Sequence, residues 1–110
     1  MDLSRLNKIN VDRERKLAYA QSGCTWADFN KATTKENLVS VGTISDQPGI
    51  GGVIVGGGFG FLSGQYGLAL DCLMEATVVV ADGRIVKASE SENPDLYWAI
   101  RGNTIQSSLD

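Results

Sequence analysis

Histidine is missing from this chain of 110 residues. Its absence removes the commonest metal ligand and the commonest general base near neutral pH. Ser-His-Asp and Cys-His catalytic arrangements go with it. Cysteine is scarce: Cys24 and Cys72 stand far apart, without the spacing of a zinc site, and fit either two buried free thiols or one disulfide. Ten Lys and Arg against 13 Asp and Glu leave a net charge of −3 and no basic footprint for nucleic acid. The densest basic group, residues 13–16, includes Glu14 and reads as a solvated turn. No apolar run approaches the roughly 18 residues of a membrane span. The opening residues Met1, Asp2, Leu3, Ser4, Arg5 and Leu6 carry charge where a signal peptide has its apolar stretch. No Asn-x-Ser/Thr sequon occurs. The expectation is a soluble, untargeted chain with no metal site and no nucleic-acid or membrane partner; its compartment stays open.

What remains is enough for one small packed domain. The hydrophobic fraction is 43% and the mean hydropathy −0.07, values that argue against disorder. Residues 5–11 and 16–22 read as two strands of a hairpin around the charged turn. Thr25 is placed to cap a helix running to about Asn37, with Asp28 in its first turn and Trp26, Phe29, Ala32 and Thr33 on the buried face. Val39 and Val41 flank Ser40 in a short expected strand. Residues 73–81 have the β-branched enrichment of a buried strand. Asp82-Gly83 then signals a two-residue type I′ turn into a partner strand from Arg84. A last helix is expected with Asn93 as cap and Pro94 at its first position. Leu96, Tyr97, Ala99 and Ile100 form its apolar side, and Gly102 is its stop. Trp26, Trp98 and Tyr66 are expected to pack inside, and Asp71 to cap a helix or turn.

Glycine is the abundant residue, with 13 in the chain and nine of them in residues 49–67. These nine interleave with Ile50, Val53, Ile54, Val55, Phe59, Phe61, Leu62 and Tyr66, and no charge occurs from Gly49 through Leu70. A flexible linker would carry Ser, Thr and charge instead, so this segment must be packed. The G-x-G-x-x-G fingerprint fails, because Ile54, Phe61 and Ser63 stand where its last glycine would be. The P-loop fails for want of a Gly-Lys pair. Two readings stay open on composition. One is a glycine-rich turn region that lets elements approach closely with no ligand. The other is a backbone whose N–H groups meet a pyrophosphate.

The order of motifs resembles one family. Gly49-Ile50-Gly51-Gly52, Gly56-Gly57-Gly58-Phe59-Gly60, Leu62-Ser63, Tyr66-Gly67-Leu68 and Asp71 are similar to the FAD-binding domain of the vanillyl-alcohol-oxidase superfamily. The berberine-bridge-enzyme-like group, with its sugar oxidases, is the nearest match. The likeness continues through Val79, Val80, Ala81, Asp82 and Gly83, and through residues 92–102; upstream it takes in Gly23, Thr25, Trp26 and Asp28. The resemblance implies an α+β fold: part of a PCMH-type FAD-binding domain over residues 1–102, a mixed β-sheet with hairpins and flanking short helices, then a divergent tail over 103–110. It implies FAD as cofactor, with contacts at Ser45, Gly49, Ile50, Gly51, Gly52, Gly56, Gly57, Gly58 and Val86. The implied activity is oxidation of an alcohol, amine or sugar-type substrate by hydride transfer to flavin.

The departures qualify that expectation. The family's earlier subdomain, with its Arg-Gly-Gly-Gly-His type of loop and frequent flavin-linked histidine, has no counterpart in these residues. The cysteine tether sometimes found before the glycine segment is also missing, and Thr43 and Ser45 stand in that neighbourhood. Cys72 replaces a common asparagine. The second glycine stretch after Arg101-Gly102 is replaced by residues 103–110, and no substrate domain follows. This chain is therefore expected to supply no catalytic residue and to bind FAD weakly or not at all alone. The alternative is a catalytically inactive globular or interaction module without flavin. Either way, exposed apolar surface would favour self-association.

Overall fold

β-branched and apolar stretches bend back on themselves at two places to make two hairpins. In the computed structural model, which describes residues 2–101, strand β1 (Ile9–Asp12) pairs antiparallel with β2 (Leu17–Ala20), Ile9 lying opposite Ala20 and Asp12 opposite Leu17. The charged residues 13–16 form the exposed turn, and the Arg15 N–H donates to Asp12 Oδ1 at 3.1 Å. Both strands are shorter than the pattern predicts, and Leu6 lies outside them, exposed.

Helix α1 (Trp26–Lys35) starts where the capping signal places it. Thr25 Oγ1 accepts from the Asp28 N–H and Asp28 Oδ2 accepts from the Thr25 N–H, both at 3.3 Å, so each residue satisfies an orphan donor of the other. Trp26 and Thr33 are buried, and Phe29 meets the Trp26 ring edge-on at 5.3 Å. The expected strand at Val39 to Val41 does not form. With no strand alongside to complete a ladder, the chain passes there as a loop, leaving Val41 buried and Val39 77% exposed.

The glycine segment is more ordered than a turn region. It holds helix α2 (Ile50–Val55) and the single turn α3 (Ser63–Tyr66), followed by a 3₁₀ turn over Ala69–Cys72. Asp71 caps that turn as expected, accepting from the Leu68 N–H at 2.8 Å. The core gathers Cys24, Trp26, Ile50 and Ala69, with Ile9, Phe29, Val53 and Ile54 packed against it. Tyr66, by contrast, is exposed rather than packed.

Strand β3 (Glu75–Val79) pairs antiparallel with β4 (Ile85–Ser89), Val78 opposite Val86. The turn is not type I′: Asp82 does not take positive φ, and only Gly83 does, at 89°. The Gly83 N–H donates to the Val80 carbonyl at 2.8 Å and the Val80 N–H to the Arg84 carbonyl at 3.0 Å. The loop is therefore three residues long, a tight turn followed by one left-handed glycine. Helix α4 (Pro94–Ile100) packs on β4. Asn93 precedes it but does not cap it with its side chain, whose amide instead donates to the Lys87 carbonyl at 2.6 Å. Tyr97 is buried and its hydroxyl donates to the Leu73 carbonyl. Trp98, expected inside, is 69% exposed, because it stands about 100° round the helix from the buried Tyr97. Gly102 and the tail 103–110 lie outside the described residues.

The α+β class with hairpins and short flanking helices holds, and the two hairpins stand as separate two-stranded sheets. Both cysteines are free: Cys24 is buried as expected, whereas Cys72 is exposed, so the paired and the doubly buried readings both give way.

Candidate cofactor-contacting segment

A helix start leaves N–H groups without partners, and how each start is satisfied decides which could meet an anion. At α1 the loop before α2 folds back over the opening. The Trp26 N–H donates to the Pro48 carbonyl at 3.1 Å and the Ala27 N–H to the Asp46 carbonyl at 2.9 Å. With Asp28 bound by Thr25, no donor is left there. At α4 the first residue is proline and the second is Asp95, whose charge repels an anion.

The start of α2 differs. The Ile50 N–H donates to the Cys24 carbonyl at 2.9 Å, which with the Thr25–Gly49 bridge pins α2 beside α1. The N–H groups of Gly51 and Gly52 have no hydrogen-bond partner among the described residues. No acidic side chain lies in that first turn.

The structure separates the nine predicted contact residues into distinct places. Gly49, Ile50, Gly51 and Gly52 come together at the start of α2. The Ile50 side chain is buried and its N–H is engaged, so it anchors rather than offers a donor. Gly56, Gly57 and Gly58 sit at the far end of the helix, about 9 Å away at 1.5 Å per residue. Their main chain is largely occupied: the Leu70 N–H donates to the Gly57 carbonyl at 3.0 Å and the Ala69 N–H to the Gly58 carbonyl at 2.8 Å. The Gly58 N–H has no partner among the described residues. Ser45 lies exposed in the loop, its N–H turned to Thr43 Oγ1 at 3.4 Å. Val86 is half-buried in β4, on the second hairpin.

The two glycine groups also differ in what the fold asks of them. At Gly58 φ is 74°, and a Cβ would lie 2.4 Å from that of Ala69. Packing alone requires glycine there. At Gly51 a Cβ would make only ordinary contact with Ser22, its Cβ at 3.5 Å and its carbonyl oxygen at 3.9 Å, and at Gly52 it would meet nothing within 4 Å. Both are inside a helix, where glycine costs about 1 kcal/mol relative to alanine. The fold leaves these two glycines unexplained, and the N–H groups of both are free. Such a bare, uncharged backbone can accept close approach of a phosphate.

One contributor was not legible in the chain. Arg101 lies over the Tyr97 ring at 4.8 Å, donates from Nε to the Leu70 carbonyl at 3.3 Å and pairs with Asp71 at 3.7 Å. It ties α4 to the 3₁₀ turn that holds Gly57 and Gly58. Its partners are some 30 residues away, beyond any local pattern. The surface grooves lie elsewhere: one along the first hairpin at Asn10 and Tyr19, another between Thr34, Val39 and Phe61.

Residues 1–89 match a family model described as an FAD binding domain. The chain is 45% identical over 102 residues to the FAD-linked oxidoreductase pgmH of Aspergillus terreus, covering 93% of this chain and 21% of that protein. It is 40% identical over 104 residues to the xylooligosaccharide oxidase of Thermothelomyces thermophilus, again covering 93% and 21%. Among solved structures, 6-hydroxy-D-nicotine oxidase from Arthrobacter nicotinovorans superposes with a TM-score of 0.86 at 35% identity, over 93% of this chain and 22% of that one. This chain thus spans about a fifth of the length of the curated relatives it matches. The likeness read in the glycine segment extends to a VAO-type flavoprotein from Myceliophthora thermophila, at a TM-score of 0.85 and 30% identity over 91% of this chain and 20% of that one.

Proposed function

Since this chain belongs to the FAD binding domain family, we propose that the start of α2 contacts the pyrophosphate of FAD through the main chain of Gly49, Gly51 and Gly52. The observation that carries this is the pair of free N–H groups on two glycines that the fold itself does not need. A Cβ would crowd phosphate oxygens there and an acidic side chain would repel them; glycine and the absence of acid admit them. Gly58 offers one further N–H, and Gly56 and Gly57 shape the backbone around it. Ser45 and Val86 complete the proposed contact set by resemblance alone.

FAD supplies a hydride acceptor when bound. This chain's residues bind and orient it, and none of them is proposed to act on substrate. We assign the chain to the flavin-binding part of an FAD-linked oxidoreductase, acting on alcohol, amine or sugar-type substrates, as its relatives' names suggest. Alone it is proposed to bind FAD weakly, because a few backbone amides with no cationic side chain give little surplus over the cost of association. It carries no histidine to tether the flavin. Self-association belongs to the same reading, given exposed Phe59, Phe61 and Trp98.

The test is a titration of FAD fluorescence with the 110-residue chain, wild type and Gly52→Glu. Glutamate at the third helical position favours α2 and finds open space, yet sets a carboxylate against the phosphates. Weak binding that ADP competes for, and that Gly52→Glu weakens about tenfold or more, is the expected result. Equal affinity in both proteins would remove α2 as the contact. Stoichiometric tight binding would overturn the weak-binding part. No binding at all would favour the alternative, a globular interaction module without flavin.

A further inference from the structure

Gly57 and Gly58 both take positive φ, at 119° and 74°, a backbone that glycine adopts without penalty but orders at the largest entropic cost. Two hydrogen bonds reach their carbonyls. The Leu70 N–H donates to Gly57 at 3.0 Å and the Ala69 N–H to Gly58 at 2.8 Å. Both donors open the 3₁₀ turn over Ala69–Cys72. Such a short turn has poor hydrogen-bond geometry of its own. The two glycines are therefore only as fixed as the turn that holds them.

One side chain grips that turn from α4. Arg101 Nε donates to the Leu70 carbonyl at 3.3 Å, and its Nη2 pairs with Asp71 Oδ1 at 3.7 Å. The other Asp71 oxygen accepts from the Leu68 N–H at 2.8 Å, at the entry to the turn. Leu70 passes the tie on directly, since its carbonyl takes Arg101 while its N–H gives to Gly57. The guanidinium is itself held, with its carbon 4.8 Å from the centre of the Tyr97 ring. The Tyr97 hydroxyl donates to the carbonyl of Leu73, the residue after the turn. The ion pair joins side chains that are 29% and 48% exposed, so its charge alone is worth little. Geometry is what Arg101 supplies. Its planar fork meets a carbonyl and a carboxylate at once while lying on a ring, which a lysine ammonium does not match.

We propose that Arg101 is a positioning residue for the cofactor. It fixes the 3₁₀ turn and, through it, the Gly57–Gly58 backbone that sets the direction of the Gly58 N–H, the further donor assigned to FAD. This deepens the flavin reading above and rests on it. A binding geometry is only as precise as the groups that support it. Arg101 acts through Leu70 and Asp71 and is not proposed to touch FAD. Its sequence distance from the glycines is bridged by contacts that the structure shows directly, each with a named donor and acceptor.

Amide exchange and FAD titration of the 110-residue chain test it together. Arg101→Lys keeps the charge and loses the fork. Exchange of the Ala69 and Leu70 N–H groups should quicken relative to that of Ile50, which donates to Cys24 away from the turn. FAD affinity should fall about fivefold or more. Asn93→Ala is the control: it removes the bond to the Lys87 carbonyl at the other end of α4, and should lower the urea midpoint while leaving FAD affinity unchanged. Unchanged exchange at Ala69 and Leu70 in Arg101→Lys would overturn the proposal. Quickened exchange with full FAD affinity would also overturn it, making the tie purely structural; if Gly52→Glu still weakened binding, the α2 contact would stand without it. An equal loss of affinity in Asn93→Ala would overturn it in favour of general destabilisation. No FAD binding by the wild type would overturn the flavin reading, and this inference with it.

Discussion

At the scale of single residues, two glycines six positions apart do opposite work. Gly58 is demanded by its own backbone and by the Ala69 side chain against it. Gly58→Ala should therefore lower stability by about 2 kcal/mol or more. Gly52→Ala relieves a helix of an unneeded glycine and should raise stability by about 0.5–1 kcal/mol. Urea unfolding of the two variants checks both signs. The cysteines separate in the same manner. Burial pushes the Cys24 thiol above its ordinary 9.0, nearby Asp28 adds to the rise, and a hydrogen bond with Gln21 works against it. The unfolded thiol thus loses its proton before the folded one. Its contribution to stability is whole below about pH 9 and is lost as pH rises towards the folded value. Urea midpoints should show a loss above pH 9 that is smaller in Cys24→Ala, and a thiol reagent should label Cys72 on the native chain while sparing Cys24.

At the scale of elements, local chemistry was legible where partners lie within a few residues. Thr25, Trp26 and Asp28 declare the start of α1, and the capping box forms as read. Thr25→Ala should cost about 1 kcal/mol, seen as a lower urea midpoint with little change in slope. Legibility failed where a distant group competed. Asn93 has the right type for a cap, yet the Lys87 carbonyl claims its side chain. Asp82-Gly83 carries a two-residue turn signal, but one left-handed glycine closed a three-residue loop instead. Val39 and Val41 have strand composition, but a strand needs a neighbour to exchange hydrogen bonds with, and none passes there among the described residues. The helix in the glycine segment was hidden because glycine disfavours helix, and it is held in place by the Ile50 side chain, buried beside Cys24 and Trp26, with Val53 and Ile54 packed against the same core.

At the scale of the whole molecule, the core is small and the surface rich in large apolar side chains, Phe59, Phe61 and Met74 among them. A domain near this size is marginally stable when it buries what it can, so a partner surface matters to its stability.

The sequence by itself determined the class and the family. The missing histidine, the uncharged run of nine glycines and the ordered motifs around it are properties of residue type and spacing, which need no coordinates. Only the tertiary structure decided which glycines are free to meet a ligand. That depends on where Ala69 packs, on the loop at Asp46 and Pro48 that fills the start of α1, and on the bond from Ile50 to Cys24 that leaves the next two amides bare. Only it decided that Asn93 and Glu92 reach β4 through space and occupy the Lys87 carbonyl and the Ser89 N–H. Residue type sets what a group can do, and the neighbours that folding brings decide whether it is already occupied.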